Sequence, residues 1–295
     1  ERIAERAIEA NGGVLPKVFP AWSKAARDRI ADVGSIAPDV MFVAAGDFAC
    51  DLVHDGVAAG GIAPTPLGAL AVAGIPAKGL TLEPSAEDDA GIVHDLGAGV
   101  VAVAARYDVP RESCREWATT LLSAVNPSRV VVLCAVDEHD VGYGVDGYRG
   151  SFVLDTAAQR CGIHSLSLSD DDDERSARAL PAGALIEGIA AAVAARCEMT
   201  GVPARIVAVP APSGTAGARG FGNGRHGGGP ARRRRGIGPG FGGGVDGAAA
   251  SHAVLLTQRA CGIDFGVFGP SVHSVGASSK KPTSAVVDDG MRVYT

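Results

Sequence analysis

Aromatic residues and long apolar segments are both scarce in this chain of 295 residues. Phe, Trp and Tyr together make up only 5% of the sequence, although 46% of it is hydrophobic. Packing must therefore depend on Val, Ile, Leu and Ala, which can still build a full core in a chain of this length. No apolar run reaches membrane-spanning length and no signal peptide is visible, so we expect a soluble, intracellular protein.

Closely spaced cysteines are also absent. The six cysteines form no C-x-x-C pair, and their wide spacing argues against a zinc site and against a secreted disulfide framework. Two of them lie in apolar segments, where a thiol usually behaves as a small hydrophobe. We therefore expect a reducing compartment and no metal or other cofactor. The cysteines are Cys50, Cys114, Cys134, Cys161, Cys197 and Cys261.

The sequence also lacks the common catalytic motifs. It contains neither a G-x-S-x-G nucleophile elbow nor a phosphate-binding P-loop. Residues 222–227 fit G-x-G-x-x-G by spacing, but they lie in a low-complexity stretch rather than between a strand and a helix. The net charge of −6 gives no general footprint for nucleic-acid binding. We predict no catalytic residues and no enzymatic activity.

Four continuous apolar runs predict buried strands, and helical patterns lie between them. Such alternation is typical of an α/β fold, here a single domain with a mainly parallel sheet covered by helices. The first and second strands are expected over 40–45 and 99–105, and the third and fourth over 129–135 and 205–209. Helices are expected from Pro110 to Leu122 and from Ala184 to Met199.

The composition divides the chain into five segments. Residues 1–38 predict an N-terminal helical extension with helices over 2–10 and 22–33, and 39–210 form the α/β domain. Segment 211–247 holds 15 Gly and six Arg in 37 positions, which predicts a disordered insert. A helix near 248–261 returns the chain to the core within segment 248–268. The final segment, 269–295, is expected to be a mobile tail.

Three polar groups could carry chemistry, and each has a structural alternative. Asp137–Asp140 follows the third strand and could bind a metal, although a polar loop is the commoner role there. Cys50 and His54 stand four residues apart on a predicted helix and could form a nucleophile pair, but no oxyanion element accompanies them. His94 and Asp95 could also form a catalytic pair, but again no oxyanion element accompanies them. We expect none of these groups to be catalytic.

A family resemblance rests on the block Leu180–Val209. A helix of small residues ends there in Cys197-Glu198, and a hydrophobic-Pro-Ala step leads into a short strand. The block resembles the corresponding region of the proteasome assembly chaperone 1 family. The resemblance spans roughly 40–210 and adds the last three residues. The further matching residues in the block are Ala191, Ala192, Val193, Val202, Pro203 and Ala204.

The resemblance implies a non-enzymatic chaperone that promotes assembly of the 20S proteasome α-ring. Its expected partners are a proteasome assembly chaperone 2-like protein, with which it forms a heterodimer, and the proteasome α-subunits. Val293, Tyr294 and Thr295 match the terminal hydrophobic-Tyr-X motif by which such proteins bind the α-ring. A terminal carboxylate can accept from a lysine while the tyrosine ring and the aliphatic side chain fill apolar slots. The expected location is the cytoplasm.

Two other functions stay open from the residues. An α/β enzyme of phosphorylase or hydrolase type would need a pocket with converging polar groups at the carboxyl ends of the strands, whereas a chaperone should present a flat apolar face. An RNA-binding protein could use the Gly/Arg-rich segment, in which Phe221 and Phe241 flank the run Arg232–Arg235. The same run could serve as a nuclear import signal, which would add a nuclear location.

Overall fold

The computed structural model describes residues 18–51, 61–72, 91–106, 109–142, 148–161, 177–212 and 245–261. Within them, nine strands form one sheet in the order β1-β3-β4-β5-β2-β6-β9-β7-β8. The strands are β1 (Val18–Trp22), β2 (Val40–Ala45), β3 (Thr65–Val72), β4 (Gly91–Gly97), β5 (Val100–Ala105), β6 (Arg129–Asp137), β7 (Phe152–Asp155), β8 (Arg178–Ala179) and β9 (Ala204–Ala211). The helices are α1 (Lys24–Val33), α2 (Arg111–Ala124), α3 (Ala157–Cys161), α4 (Gly188–Thr200) and α5 (Gly247–Cys261).

Four parallel strands, β5, β2, β6 and β9, form the centre of the sheet. Their continuous apolar sequences arise because both faces of these strands are covered. Along β2, Met41 and Val43 point into one core cluster, and Phe42 and Ala44 point into the other. The alternation places helices on both sides of the sheet.

The helices that cover the two faces differ. Helices α2 and α4 pack on one face, where Trp117 and Leu121 of α2 join Val193 and Cys197 of α4 in the same buried cluster. Helix α5 packs on the other face, mainly through small side chains such as Ala249 that let it approach the sheet closely. The domain is therefore a sheet between two helical layers.

The outer edge of β1 is protected against pairing with another strand. Ser23 N–H donates to the carbonyl of Leu67. Counted back from Ser23, the backbone N–H and C=O groups of every second residue therefore face β3, and those of the residues between them face outwards. Among the outward positions, Val18 N–H already donates to Glu116 Oε1 at 3.3 Å, and Pro20 has no N–H to offer. An edge of this kind is a poor template for another strand.

The α/β prediction is confirmed, and each of the four predicted central strands is present. Four of the eight strand pairings among the described residues are parallel and four are antiparallel, because β1, β3, β4 and β7 add antiparallel neighbours to the parallel centre. The helix predicted near 248–261 is α5. None of the described helices is long and apolar enough to cross a membrane.

The predicted helical extension over 1–38 needs a correction for residues 18–38. Val18–Trp22 is a strand that pairs with β3 along its whole length, so this part of the chain belongs to the sheet. The helix expected over 22–33 is α1, and it begins at Lys24, because Ser23 Oγ caps it by accepting from Ala26 N–H at 3.2 Å. The predictions for 2–10, for most of 211–247 and for 269–295 lie outside the described residues.

Candidate functional site

The carboxyl ends of β2 and β5 form the point in the sheet where a ligand site is expected. The helical turn over residues 47–51 follows β2 and packs with Ala49 and Cys50 on the face covered by α5. Helix α2 follows β5 and packs on the opposite face. Where neighbouring connections leave a parallel sheet on opposite faces, a crevice opens between the strand ends, and ligands of α/β proteins often bind there.

An ion pair connects the segments that follow β2 and β5. The Arg106 guanidinium follows β5 directly, and its Nη2 donates to Asp51 Oδ1 across a distance of 2.6 Å. Burial alone would lower the pKa of Arg106, but the hydrogen bond and the negative charge of Asp51 outweigh it and raise that pKa. Arg106 therefore stays cationic, and its charge is balanced by a carboxylate of the protein itself.

The acidic segment after β6 folds into a tight turn that uses its own polar groups. Asp137 Oδ1 accepts from His139 N–H at 2.9 Å, and the Asp137 carbonyl accepts from Asp140 N–H at 3.1 Å. Glu138 N–H donates to the carbonyl of Ala211 and fastens the turn to β9. This geometry corresponds to the polar-loop interpretation of Asp137–Asp140. Among the described residues, no group of three His, Cys, Asp or Glu side chains is placed to hold a metal ion.

The geometry of Cys50 does not suit a nucleophile. Its side chain is buried under the sheet face, and its Sγ lies 3.6 Å from the carbonyl oxygen of Ala44. Burial raises the pKa of the Cys50 thiol to about 12, which keeps it protonated at neutral pH. His54, the proposed partner, lies outside the described residues.

The pair His94-Asp95 lies on β4 at the hairpin that leads to β5. Asp95 Oδ1 accepts from Gly97 N–H at 2.8 Å, and Gly97 and Gly99 both adopt positive φ angles in the turn. The carboxylate therefore caps the turn, as aspartates commonly do at such positions. This structural role accounts for Asp95 at this position, and no catalytic role is needed to explain it.

A polar cluster that sequence analysis missed joins α5 to the segment before β7. Ser151 N–H donates to His252 Nδ1 at 2.9 Å, and Ser151 Oγ donates to the carbonyl of Ala249 at 2.8 Å. A Ser and a His therefore meet, but the serine hydroxyl is directed to a backbone carbonyl and is fully buried. The contact connects two elements and does not form a nucleophile and base. No local sequence motif predicts the contact between Ser151 and His252, because 101 residues separate the two.

Tyr148 completes this cluster. Its hydroxyl donates to the carbonyl of Ser151 and accepts from Arg178 N–H at 3.2 Å. The Arg178 guanidinium lies 4.3 Å from the centre of the Tyr148 ring, and the edge of that ring meets Phe152 at 5.2 Å between centroids. One aromatic side chain thus holds β7, β8 and the loop before β7 together.

The large exposed apolar side chains of the described residues lie on separate elements of the domain. Singly exposed hydrophobic residues are normal on protein surfaces, so these positions do not by themselves mark an interface. They are Val33, Leu154, Leu185, Met199 and Leu255. The predicted docking residues Val293, Tyr294 and Thr295 lie outside the described residues.

No protein-family model matches the sequence, and no curated protein matches it. Among solved structures, PbaA from Pyrococcus furiosus, an archaeal homologue of proteasome-assembly chaperone, is similar with a TM-score of 0.50 and 13% identity, over 83% of this chain and 86% of PbaA. The monoclinic crystal form of PbaA is similar with a TM-score of 0.51 and 12% identity, over 84% of this chain and 83% of PbaA. PbaB from the same organism, an archaeal proteasome activator, is similar with a TM-score of 0.50 and 10% identity, over 84% of this chain and 91% of PbaB.

These similarities concern the fold. The chain has the fold of PbaA, an archaeal homologue of proteasome-assembly chaperone, and of PbaB, with one α/β domain that matches them over most of both chains. At 10–13% identity the likeness does not single out the proteasome assembly chaperone 1 branch that the sequence block resembles.

Proposed function

We propose that this chain is a chaperone that promotes assembly of the 20S proteasome α-ring. The observation that carries the proposal is the shared fold, which covers 83% of this chain and 86% of an archaeal homologue of proteasome-assembly chaperone. The block Leu180–Val209, on which the family resemblance rests, contributes α4 and the central strand β9 to that fold. The sequence resemblance and the shared fold therefore support the same function.

The chemistry at the strand ends favours binding over catalysis. At the crevice where an α/β enzyme would bind its substrate, Arg106 is paired with Asp51. The neighbouring Asp137 carboxylate is used by its own turn, and the Cys50 thiol is buried and protonated. Polar groups that satisfy one another are not poised for a reaction, since a catalytic group must reach a substrate atom.

The proposed partners are a proteasome assembly chaperone 2-like protein and the proteasome α-subunits. In this proposal the folded body forms a heterodimer and binds the ring, and Val293, Tyr294 and Thr295 make a second contact through their side chains and a terminal carboxylate. Two linked contacts gain from effective concentration, so a weak tripeptide can strengthen the binding of the body. The proposed location is the cytoplasm, with nuclear import through Arg232–Arg235 as an addition.

Affinity capture with quantitative mass spectrometry tests the proposal. The bait is the full chain, compared with a chain lacking Thr295, with Tyr294→Ala, and with a chain extended by one glycine after Thr295. The extended chain keeps all three side chains but moves the carboxylate. We expect the full chain to recover α-subunits and a second chaperone, and the three altered chains to recover several-fold less.

The outcomes of this experiment separate the two parts of the proposal. Equal recovery of α-subunits by all four baits would contradict the terminal docking contact and leave the chaperone function standing. Recovery of no proteasome subunit and no second chaperone by any bait would contradict the chaperone function itself.

A further inference from the structure

Neither edge of the sheet suits the addition of a strand from a partner. At the β1 edge, the outward positions include Pro20, which has no N–H, and Val18, whose N–H donates to Glu116. At the other edge, β8 is only two residues long, and Arg178 N–H already donates to the Tyr148 hydroxyl. Strand addition uses a series of free backbone groups along an edge. A protein partner is therefore better matched by a helical layer than by an edge of the sheet.

Helix α4 is apolar on the side that faces away from the sheet as well as on the side that faces it. The inner side is buried through Ile189, Ala190, Val193 and Cys197. Half a turn round the helix, Ala195 and Met199 are exposed, Met199 to 70%. A helix that is apolar all round is typical of a helix covered on both sides. We call the outward residues the outer face of α4: Gly188, Ala191, Ala192, Ala195 and Met199.

The neighbouring helix α2 differs from α4 in this respect. Both helices pack on the same face of the sheet, so they have comparable surroundings. The exposed positions of α2 carry charged or polar side chains, namely Arg111, Glu112, Arg115 and Ser123. An apolar outer side is therefore a property of α4 and not of this helical layer in general.

Arginine side chains line the border between the outer face of α4 and α2. Arg111 Nη2 donates to both carboxylate oxygens of Glu187, directly before α4, which shows that this side of α2 is turned towards α4. The exposed Arg115 follows one turn later on the same side of α2. With Arg196, this border, which we call the arginine flank, holds three cations and one anion.

Arg196 belongs to the arginine flank by its position on α4. It lies on the opposite side of the helix from Glu198, whose carboxylate is turned to α3 and accepts from Ala157 N–H at 2.9 Å. The Nε of Arg196 is buried and has no hydrogen-bond partner among the described residues. A carboxylate brought to this border would meet a net positive charge and an unused donor.

We propose that the outer face of α4 binds the second chaperone of the heterodimer, through a helix that has an apolar side bordered by acidic side chains opposite Arg115 and Arg196. This assignment rests on the proposed function. Small side chains on α4 allow a second helix to approach closely. A second copy of this chain fits less well, because a two-fold axis brings the same patch of both subunits together and the arginine flank would face itself.

Calorimetric titration of the full chain with a purified proteasome assembly chaperone 2-like protein of the same organism tests the assignment. Ala195→Arg places a long cation in the middle of the outer face and preserves helix propensity, and we expect binding at least tenfold weaker. Its control, Ser123→Arg, adds the same side chain to the outer side of α2 and should bind like the wild type. Arg115→Glu should weaken binding about fivefold, and Arg29→Glu on α1 should not change it.

The possible outcomes separate this assignment from the chaperone function. Wild-type affinity of Ala195→Arg would overturn the docking face while the heterodimer remained, and unchanged or tighter binding by Arg115→Glu would overturn the acidic character of the partner. Sedimentation of the full chain alone provides a further test. A dimer of the wild type that Ala195→Arg abolishes would show that the outer face joins two copies instead. A wild-type chain that binds no second chaperone would contradict the heterodimer itself, and this docking face with it.

Discussion

Asp155 and Arg205 face each other across β7 and β9 and form an ion pair with two hydrogen bonds. Arg205 Nε donates to Asp155 Oδ1 and Arg205 Nη2 donates to Asp155 Oδ2, both at 2.7 Å. The Arg205 side chain is 6% exposed, and the Asp155 side chain is 19% exposed. The planar guanidinium matches the carboxylate only when the two residues are directly opposite, so the pair specifies the register of β7. A slip of one residue would turn Phe152 out of the core.

Breaking this pair should cost far more stability than breaking an exposed one. Arg205→Ala leaves the Asp155 carboxylate without its partner in a largely buried site, and we expect the free energy of unfolding to fall by about 3 kcal/mol. The control is Arg111→Ala, which removes the two hydrogen bonds from Arg111 Nη2 to the carboxylate oxygens of Glu187 between exposed side chains and should cost less than about 1 kcal/mol. Urea unfolding of both variants measures the difference, and similar costs would refute the role of Asp155 and Arg205.

Gly68 is predicted to be the least replaceable described glycine of the antiparallel part of the sheet. A methyl group there would overlap the Trp22 ring and lie 2.6 Å from the carbonyl oxygen of Ala21, and the backbone of β1 cannot yield easily. At Gly91 the nearest atom, on Trp117, is 3.2 Å away, so a small shift suffices. We expect Gly68→Ala to lower the free energy of unfolding by about 2 kcal/mol or more and Gly91→Ala to have a smaller effect. The reverse order in thermal unfolding would contradict the packing of Trp22 on β3.

Thiol labelling should distinguish one cysteine from the other five. Cys161 is exposed at the end of α3, while the remaining five are buried. A thiolate must be formed and reached for reaction, so we expect one rapidly reacting thiol per native chain and six in denaturant. Cys161→Ser should remove the rapid reaction. Two or more rapidly reacting thiols in the native wild type would show that the core around the buried cysteines opens readily.

The buried thiols also predict a loss of stability in alkali. Burial raises the pKa of the Cys134 thiol to about 12, whereas the unfolded chain has the ordinary value of 9.0. Both states hold the proton below pH 9. Between pH 9 and pH 12 the unfolded state loses it and the folded state does not, so unfolding becomes more favourable as the pH rises.

A comparison of variants isolates this effect. Between pH 8 and pH 10, the free energy of unfolding of the wild type should fall by about 1.4 kcal/mol more than that of Cys134→Ala. Other titrating groups are common to both proteins and cancel. Parallel pH profiles for the wild type and Cys134→Ala would contradict the burial of this thiol.

The centre of the fold could be predicted from the sequence because its strands are covered on both faces. Such strands must be apolar throughout, and the run Val40–Ala45 therefore marks β2 without ambiguity. The two helices α2 and α4 follow from the spacing of side chains such as Trp117 and Val193 that meet in one cluster. These sequence patterns are local, so they can be recognised without knowledge of the tertiary structure.

The antiparallel part of the sheet could not be predicted in the same way. Strand β3 contains Pro66 and Gly68, which weaken any strand pattern, and it is held by β1 and β4 and by the Trp22 ring over Gly68. The contact of Ser151 with His252 was equally hidden, because it joins residues far apart in sequence. Tertiary contacts decide both features, and a single sequence does not record them.

The most direct test of the proposed chaperone function uses purified components. The full chain, alone and with a proteasome assembly chaperone 2-like partner, is mixed with proteasome α-subunits of the same organism, and native mass spectrometry follows the species formed. The account predicts a complex that contains the chain and α-subunits, and a higher yield of α-rings than from the subunits alone. Unchanged ring yield and no complex with any α-subunit would contradict it.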